Sequence, residues 1–130
     1  MQDVTPVIMN AWPYQNDKMA LPVENLNDSI PFYLTVLGFK LMSIENNPVK
    51  HAVLEKDGLS IGLSENGGDP TQNGCFFEVN DVSATSGELM ARGLIRDSKD
   101  FKIQKYGEAE WKVFFVIAPD QLCYCFGEKL

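Results

Sequence analysis

The feature that most constrains this chain is an internal repeat. Lys18-Met-Ala-Leu-Pro-Val23-Glu-Asn25-Leu26 leads into the run 27–37 and is closed by Gly38-Phe39. Gly74-Cys-Phe-Phe-Glu-Val79-Asn-Asp81-Val82 leads into the run 83–92 and is closed by Gly93-Leu94. Val23 and Val79 are 56 positions apart and Gly38 and Gly93 are 55 apart, so two units of one plan fill most of the chain.

Each unit reads as strand, cap, helix and glycine stop. Met19, Leu21 and Val23 alternate with other residues, as do Cys75, Phe77 and Val79, which gives each strand one apolar face. Asn25 and Asp81 are N-cap residues, able to accept a bond from an otherwise unpaired amide of the first helical turn. Ile30, Tyr33, Leu34 and Leu37 form a helical stripe in the first unit, and Leu89 and Met90 anchor a shorter one in the second. Gly38 and Gly93 suit the left-handed position that ends a helix. Pro31 and Gly87 oppose the pattern, one by removing a helical hydrogen bond and the other by weakening the helix.

Strand-like runs follow each helix: 40–44, 51–55 and 59–64 in the first unit, then 101–104, 111–117 and 122–126 in the second. Lys56-Asp57-Gly58 is a hairpin turn, and Ala118-Pro119-Asp120-Gln121 is a second turn. Each half is thus β-α-β-β-β. The Gly- and Asn-rich stretch from about 65 to 73 links a first module (about 16–65) to a second (about 74–128) within one domain of 130 residues.

A net charge of −7 argues against a nucleic-acid partner, because phosphate binding wants a basic surface. It would suit a cationic small molecule, although solubility alone accounts for many acidic proteins. No apolar stretch approaches the roughly 20 residues of a membrane span. The start MQDVTPVIMN lacks the basic and apolar parts of a signal peptide, so a cytoplasmic protein with no membrane partner is expected. Three cysteines do not suggest a disulfide framework. Cys123 and Cys125 share one face of a strand and read as small core or pocket residues.

The pattern resembles the vicinal-oxygen-chelate superfamily, the fold of glyoxalases, bleomycin-resistance proteins and extradiol dioxygenases. Four strings carry the resemblance, in order: Val23-Glu-Asn-Leu with Phe32-Tyr33 and Leu37-Gly38-Phe39; Phe77-Glu-Val-Asn-Asp-Val82; Ala91-Arg-Gly-Leu94; and Phe115-Val-Ile-Ala-Pro-Asp120. It implies an α+β fold, with tandem βαβββ modules forming a curved, cup-shaped mixed sheet and helices on its outer face. In metalloenzymes of this kind, His, Gln or Glu side chains on the concave face hold the ion. The matching positions here are Lys18, Gly62, Gly74 and Cys125. An ammonium repels a cation, glycine has no side chain, and one thiol is not a site, so no metal or other cofactor is expected.

Positions sharing parity with those four, together with the middle strands, name the candidate ligand-binding residues: Trp111, His51, Phe76, Phe115, Lys18, Glu78, Ser60, Val53, Cys123 and Cys125. Gly107-Glu-Ala-Glu-Trp111 resembles the stretch of bleomycin-resistance proteins that ends in a groove tryptophan, which makes Trp111 the first candidate for stacking on a ligand. His51 matches an aromatic groove residue in the same proteins. The plainer alternatives are an ordinary sheet residue for Trp111, where the pocket role is preferred, and a solvated side chain for Lys18, the more common case. Trp12 and Tyr14 are too aromatic for a free tail and could cover a partner subunit. The resulting expectation is a homodimer that binds a planar or cationic small molecule in a metal-free groove at the dimer interface, in the manner of drug-sequestering relatives. The alternative is a glyoxalase-like lyase with an atypical site, or a metal-free isomerase using Glu55, Glu78 or His51 as base; no catalytic residue is assigned.

Overall fold

The computed structural model describes residues 5–15, 17–96 and 100–130. The repeat appears as two sheets with one strand order. In the first module β2 (Leu21–Pro22), β3 (Lys40–Glu45), β4 (His51–Lys56) and β5 (Leu59–Ser64) lie in the order β2-β5-β4-β3. In the second, β6 (Gly74–Val79), β7 (Lys102–Tyr106), β8 (Ala109–Ile117) and β9 (Cys123–Lys129) lie in the order β6-β9-β8-β7. The first strand of each module runs parallel to the last, and the other pairs are antiparallel. Both sheets stay open, as the α+β expectation requires.

The helices are α1 (Leu26–Thr35) and α2 (Val82–Ala91). Their starts follow from the caps: Asn25 Oδ1 accepts from the amide of Asp28 at 3.1 Å, and Asp81 Oδ1 from that of Ala84 at 2.9 Å. A glutamate carboxylate from elsewhere in the chain reinforces each start. Glu65, just past β5, accepts from the Leu26 amide at 2.8 Å, and Glu128 in β9 accepts from the Val82 amide at 2.9 Å. Negative charge at the two N-termini also complements the helix dipoles. Gly38 and Gly93 take φ of +79° and +112°, conformations that disfavour any side chain.

Two hairpins turn on two residues. Asp57 and Gly58 both have positive φ, between Lys56 and its partner Leu59, while Gly107 and Glu108 join Tyr106 to its partner Ala109. The segment between modules holds a short 3-10 helix, Pro70–Gln72, capped by Asp69.

Two features depart from the sequence expectation. The strand anticipated over Met19–Val23 shrinks to Leu21–Pro22, because Ala20 donates to the Asp17 carbonyl and folds the preceding residues into a turn. Met19 is consequently exposed while Pro22 is buried, so alternation fails there. The second feature is an unanticipated strand, β1 (Ile8–Pro13), which pairs antiparallel with β6 and widens that sheet to five strands. Ile8 anchors it in the core, and its amide donates to Asp57 Oδ2 at 3.0 Å.

One apolar core unites both modules. It joins Leu26, Ile30 and Tyr33 of α1 and Leu89 of α2 to the inner faces of both sheets, including Leu54, Ile61, Phe77, Phe114, Tyr124 and Phe126. Tyr33 also crosses between modules through its hydroxyl, which donates to Asp120 Oδ2 at 2.9 Å and meets the Tyr124 hydroxyl. With this side of the sheets covered by helices, the opposite faces remain open for function.

Candidate functional site

On its open face the five-stranded sheet builds a small second cluster, Trp111, Val113 and Cys125 with Phe76 and Ala109 packed against them. Phe76 and Phe77 show how parity makes it: Phe77 enters the core, and Phe76 points the other way. The open face of β9 carries small residues, Cys123, Cys125 and Gly127, and this is what leaves room for rings. A Cβ on Gly127 would lie 2.5 Å from the Phe76 ring, which therefore lies directly over that glycine.

Above this floor is an open pocket of about 300 Å³ lined by Trp12, Tyr14, Phe76, Tyr106, Trp111, Phe115 and Cys125. The sheet curls enough to bring its two edge strands to one ring: Phe76 of β6 meets Trp12 of β1 at 5.9 Å between centroids and Tyr106 of β7 at 5.6 Å. Trp111 is the most buried of the aromatic members, only 8% exposed, and stands edge-on to Phe76 at 5.1 Å. Trp12 at 47%, Tyr106 at 46% and Phe115 at 43% are the accessible walls. Large apolar side chains so exposed, and grouped around one concavity, make this the candidate binding surface of the chain.

The pocket's titratable groups are held neutral. Burial pushes the Tyr14 hydroxyl well above its ordinary range, helped by the nearby Cys123 and Cys125 thiols and a hydrogen bond with Cys123. Burial also raises Cys125 to about 12, with Cys123 adding to the effect. Tyr106 rises for the same first reason, followed by its proximity to Cys125.

Of the sequence candidates, the structure brings Trp111, Phe76, Phe115 and Cys125 to this pocket. Cys123 stands beside it, in contact with Tyr14. Glu78 lies on the same sheet face but accepts from Asn10 Nδ2 at 2.7 Å. His51, Val53 and Ser60 belong to the four-stranded sheet, outside this pocket. Lys18 joins them there, its Nζ donating to the Ser60 carbonyl at 3.0 Å. His51 Nδ1 is 2.8 Å from the Val49 carbonyl and Nε2 is 3.6 Å from Glu45, while Glu55 accepts from the Gly58 amide.

Three lining residues lie outside the sequence candidates. Trp12 and Tyr14, anticipated as cover for a partner, face their own chain's sheet, and Tyr106 sits just beyond the strand expected at 101–104. Local signals for them exist: Asn10, Trp12 and Tyr14 alternate, and Tyr106-Gly107-Glu108-Ala109 is a two-residue hairpin placing Tyr106 opposite Ala109.

The positions where metalloenzymes of this fold carry ligands do not fit an ion. A Cβ on Gly62 would lie 2.0 Å from the Met19 carbonyl oxygen, and one on Gly74 would lie 1.7 Å from that of Cys123. Backbone fills the space a ligand side chain would need. Lys18 is cationic, and the Cys125 thiol is held protonated. Among the described residues no three His, Cys, Asp or Glu side chains gather as a ligand set.

Tandem βαβββ modules with one sheet face sealed by helices and the other open define the vicinal-oxygen-chelate class of fold. A family model described as the glyoxalase/bleomycin resistance protein/dioxygenase superfamily matches residues 16–105, and the chain belongs to that superfamily. Solved structures share the architecture at low identity. A bleomycin resistance determinant encoded on transposon Tn5 is 16% identical, with 88% of this chain and 97% of that one covered at a TM-score of 0.63. TnmS3, an antibiotic binding protein from Streptomyces sp. CB03234, is 16% identical over 89% and 97% at 0.58. An integron cassette protein from the mobile metagenome of V. cholerae is 16% identical over 98% of both chains at 0.65. No curated protein matches the chain. Among the described residues no helix is long and apolar enough to cross a membrane.

Proposed function

We propose that this chain is a small-molecule-binding protein of the drug-sequestering kind, whose ligand occupies the aromatic pocket of the second module without a metal. The observation that carries the proposal is the pocket itself, with six aromatic side chains and one thiol around about 300 Å³ and its walls left open to solvent. Structural neighbours described as a bleomycin resistance determinant and an antibiotic binding protein support the same reading. We place the protein in the cytoplasm as a homodimer, with the exposed apolar residues Leu41, Met42 and Ile44 of the edge strand β3 available for self-association.

Tryptophan emission titrated against cationic, planar and lipophilic compounds tests the proposal. A saturable change that Phe115→Ala weakens is expected, whereas emission indifferent to every compound would contradict it. A second, enzymatic reading rests on His51, whose Nδ1 contact with Val49 leaves Nε2 to act as a base beside Glu45. Turnover lost in His51→Gln would favour that reading.

A further inference from the structure

None of the seven side chains lining the pocket is charged. The polar atoms they offer are two phenol hydroxyls, two indole N–H groups and one thiol. An anion would enter a space where Tyr14, Tyr106 and Cys125 all resist becoming anions themselves, mainly through burial. An anion would find donors there but no cationic side chain among the lining residues to pair with it.

A cation fares no better, despite the aromatic faces that could attract it. Lys102 Nζ already stands over the Phe115 ring, 6.0 Å from its centroid, so a positive charge borders the accessible wall. Glu78, two residues from Phe76 on the same face, is bonded to Asn10 and is not among the residues that line the pocket. The chain's net charge of −7 is thus carried by residues other than those that line the pocket.

The walls come from two places. Tyr106 and Phe115 belong to β7 and β8, inside the repeat, whereas Trp12 lies on β1 and Tyr14 just after it. The matched family region begins at residue 16, after both. That segment is tied down along its length. Asn80 holds Val7 and Thr5, Asn10 holds Glu78, the Tyr14 amide donates to Gly74, and Gln15 donates to the Gln72 carbonyl.

We infer that the ligand is an uncharged aromatic molecule held between the N-terminal segment, through Trp12 and Tyr14, and the strands β7 and β8, through Tyr106 and Phe115. The N-terminal strand thereby sets specificity. This inference rests on the proposed ligand site.

Three probes that share a naphthalene ring and differ in charge separate the possibilities: N-phenyl-1-naphthylamine, 8-anilinonaphthalene-1-sulfonate and 1-naphthyltrimethylammonium. Each is titrated into the full chain and into Trp12→Ala, Trp12→Val and Phe115→Ala, with far-UV circular dichroism as the check on folding. The uncharged probe should bind at least about tenfold more tightly than either ion, about 1.4 kcal/mol. Both Trp12 variants should weaken it by about tenfold, comparable to the loss of one aromatic contact with its buried area. Tightest binding by an ion, still weakened by Phe115→Ala, would overturn the ligand class and leave the pocket standing. Binding weakened by Phe115→Ala but untouched by both Trp12 variants would overturn the role of the N-terminal strand. Binding indifferent to all three variants, or absent for all three probes, would overturn the pocket as the ligand site.

Discussion

The indole of Trp12 meets that of Trp111 edge to face, with centroids 6.4 Å apart and ring planes at 83°. One belongs to an edge strand and is half exposed, while the other forms the floor of the pocket. Such pairs contribute about 0.5–1.5 kcal/mol beyond the area they bury. The contact makes the two tryptophans of this chain separate reporters on one site.

Their exposures set the first prediction. Iodide should quench Trp12 efficiently and Trp111 poorly, since Trp111 is only 8% exposed. Trp12→Phe should leave blue-shifted emission that resists quenching, and Trp111→Phe should leave emission that is readily quenched. Equal quenching of the two variants would place Trp111 elsewhere than the floor.

The glycines give opposite signs. Gly62→Ala drives a methyl into the Met19 backbone, 2.0 Å from its carbonyl oxygen, and should destabilise by about 3 kcal/mol or more, at the upper end of overpacking. Gly87 lies inside α2 with nothing within 4 Å of a Cβ. Gly87→Ala should stabilise by about 0.5–1 kcal/mol through helix propensity and a less flexible unfolded chain. Urea unfolding of both variants reads the two signs.

The Tyr33, Asp120 and Tyr124 network gives a pH dependence. Burial raises the Asp120 carboxyl above its ordinary value, outweighing the bonds it accepts from the Leu122 amide and Tyr33. A raised acid binds more protons folded than unfolded, so its contribution to stability falls as pH rises from the ordinary carboxylate range through the folded value. Asp120→Asn keeps an acceptor for Tyr33 and removes the titration. The stability of the native chain minus that of Asp120→Asn should therefore decrease with rising pH across that window, and a rise would contradict the assignment. Tyr33→Phe leaves the fully buried Tyr124 hydroxyl short of a partner, at a cost of about 1–3 kcal/mol in the same unfolding assay.

The repeat was legible because its signals are local. Asn25 and Asp81 cap, Gly38 and Gly93 stop, and strand parity sends Phe77 inward and Phe76 outward within a few residues of sequence. The same parity put Trp111, Phe76, Phe115 and Cys125 on one face. It could not say that His51, Val53, Ser60 and Lys18 belong to a different sheet face, because parity is a property of each strand and not of how the modules meet. Nor could it reveal β1, whose partners Phe76 and Glu78 lie far along the chain. The pairing depends on an edge of β6 that exists only after folding. Trp12 and Tyr14 read from sequence as cover for a partner, and the fold adds that they line a pocket of their own chain. Gly62 and Gly74 read as missing ligands, and the structure adds the reason, a backbone lying across each.

The most direct test of a ligand site on the second module is a map of backbone and indole amide shifts as the uncharged naphthylamine is titrated into labelled protein. Saturable shifts should gather at the indoles of Trp12 and Trp111 and at the amides of Phe76, Tyr106, Phe115 and Cys125. Shifts gathering instead at His51, Val53 and Ser60, with both indoles unmoved, would contradict it.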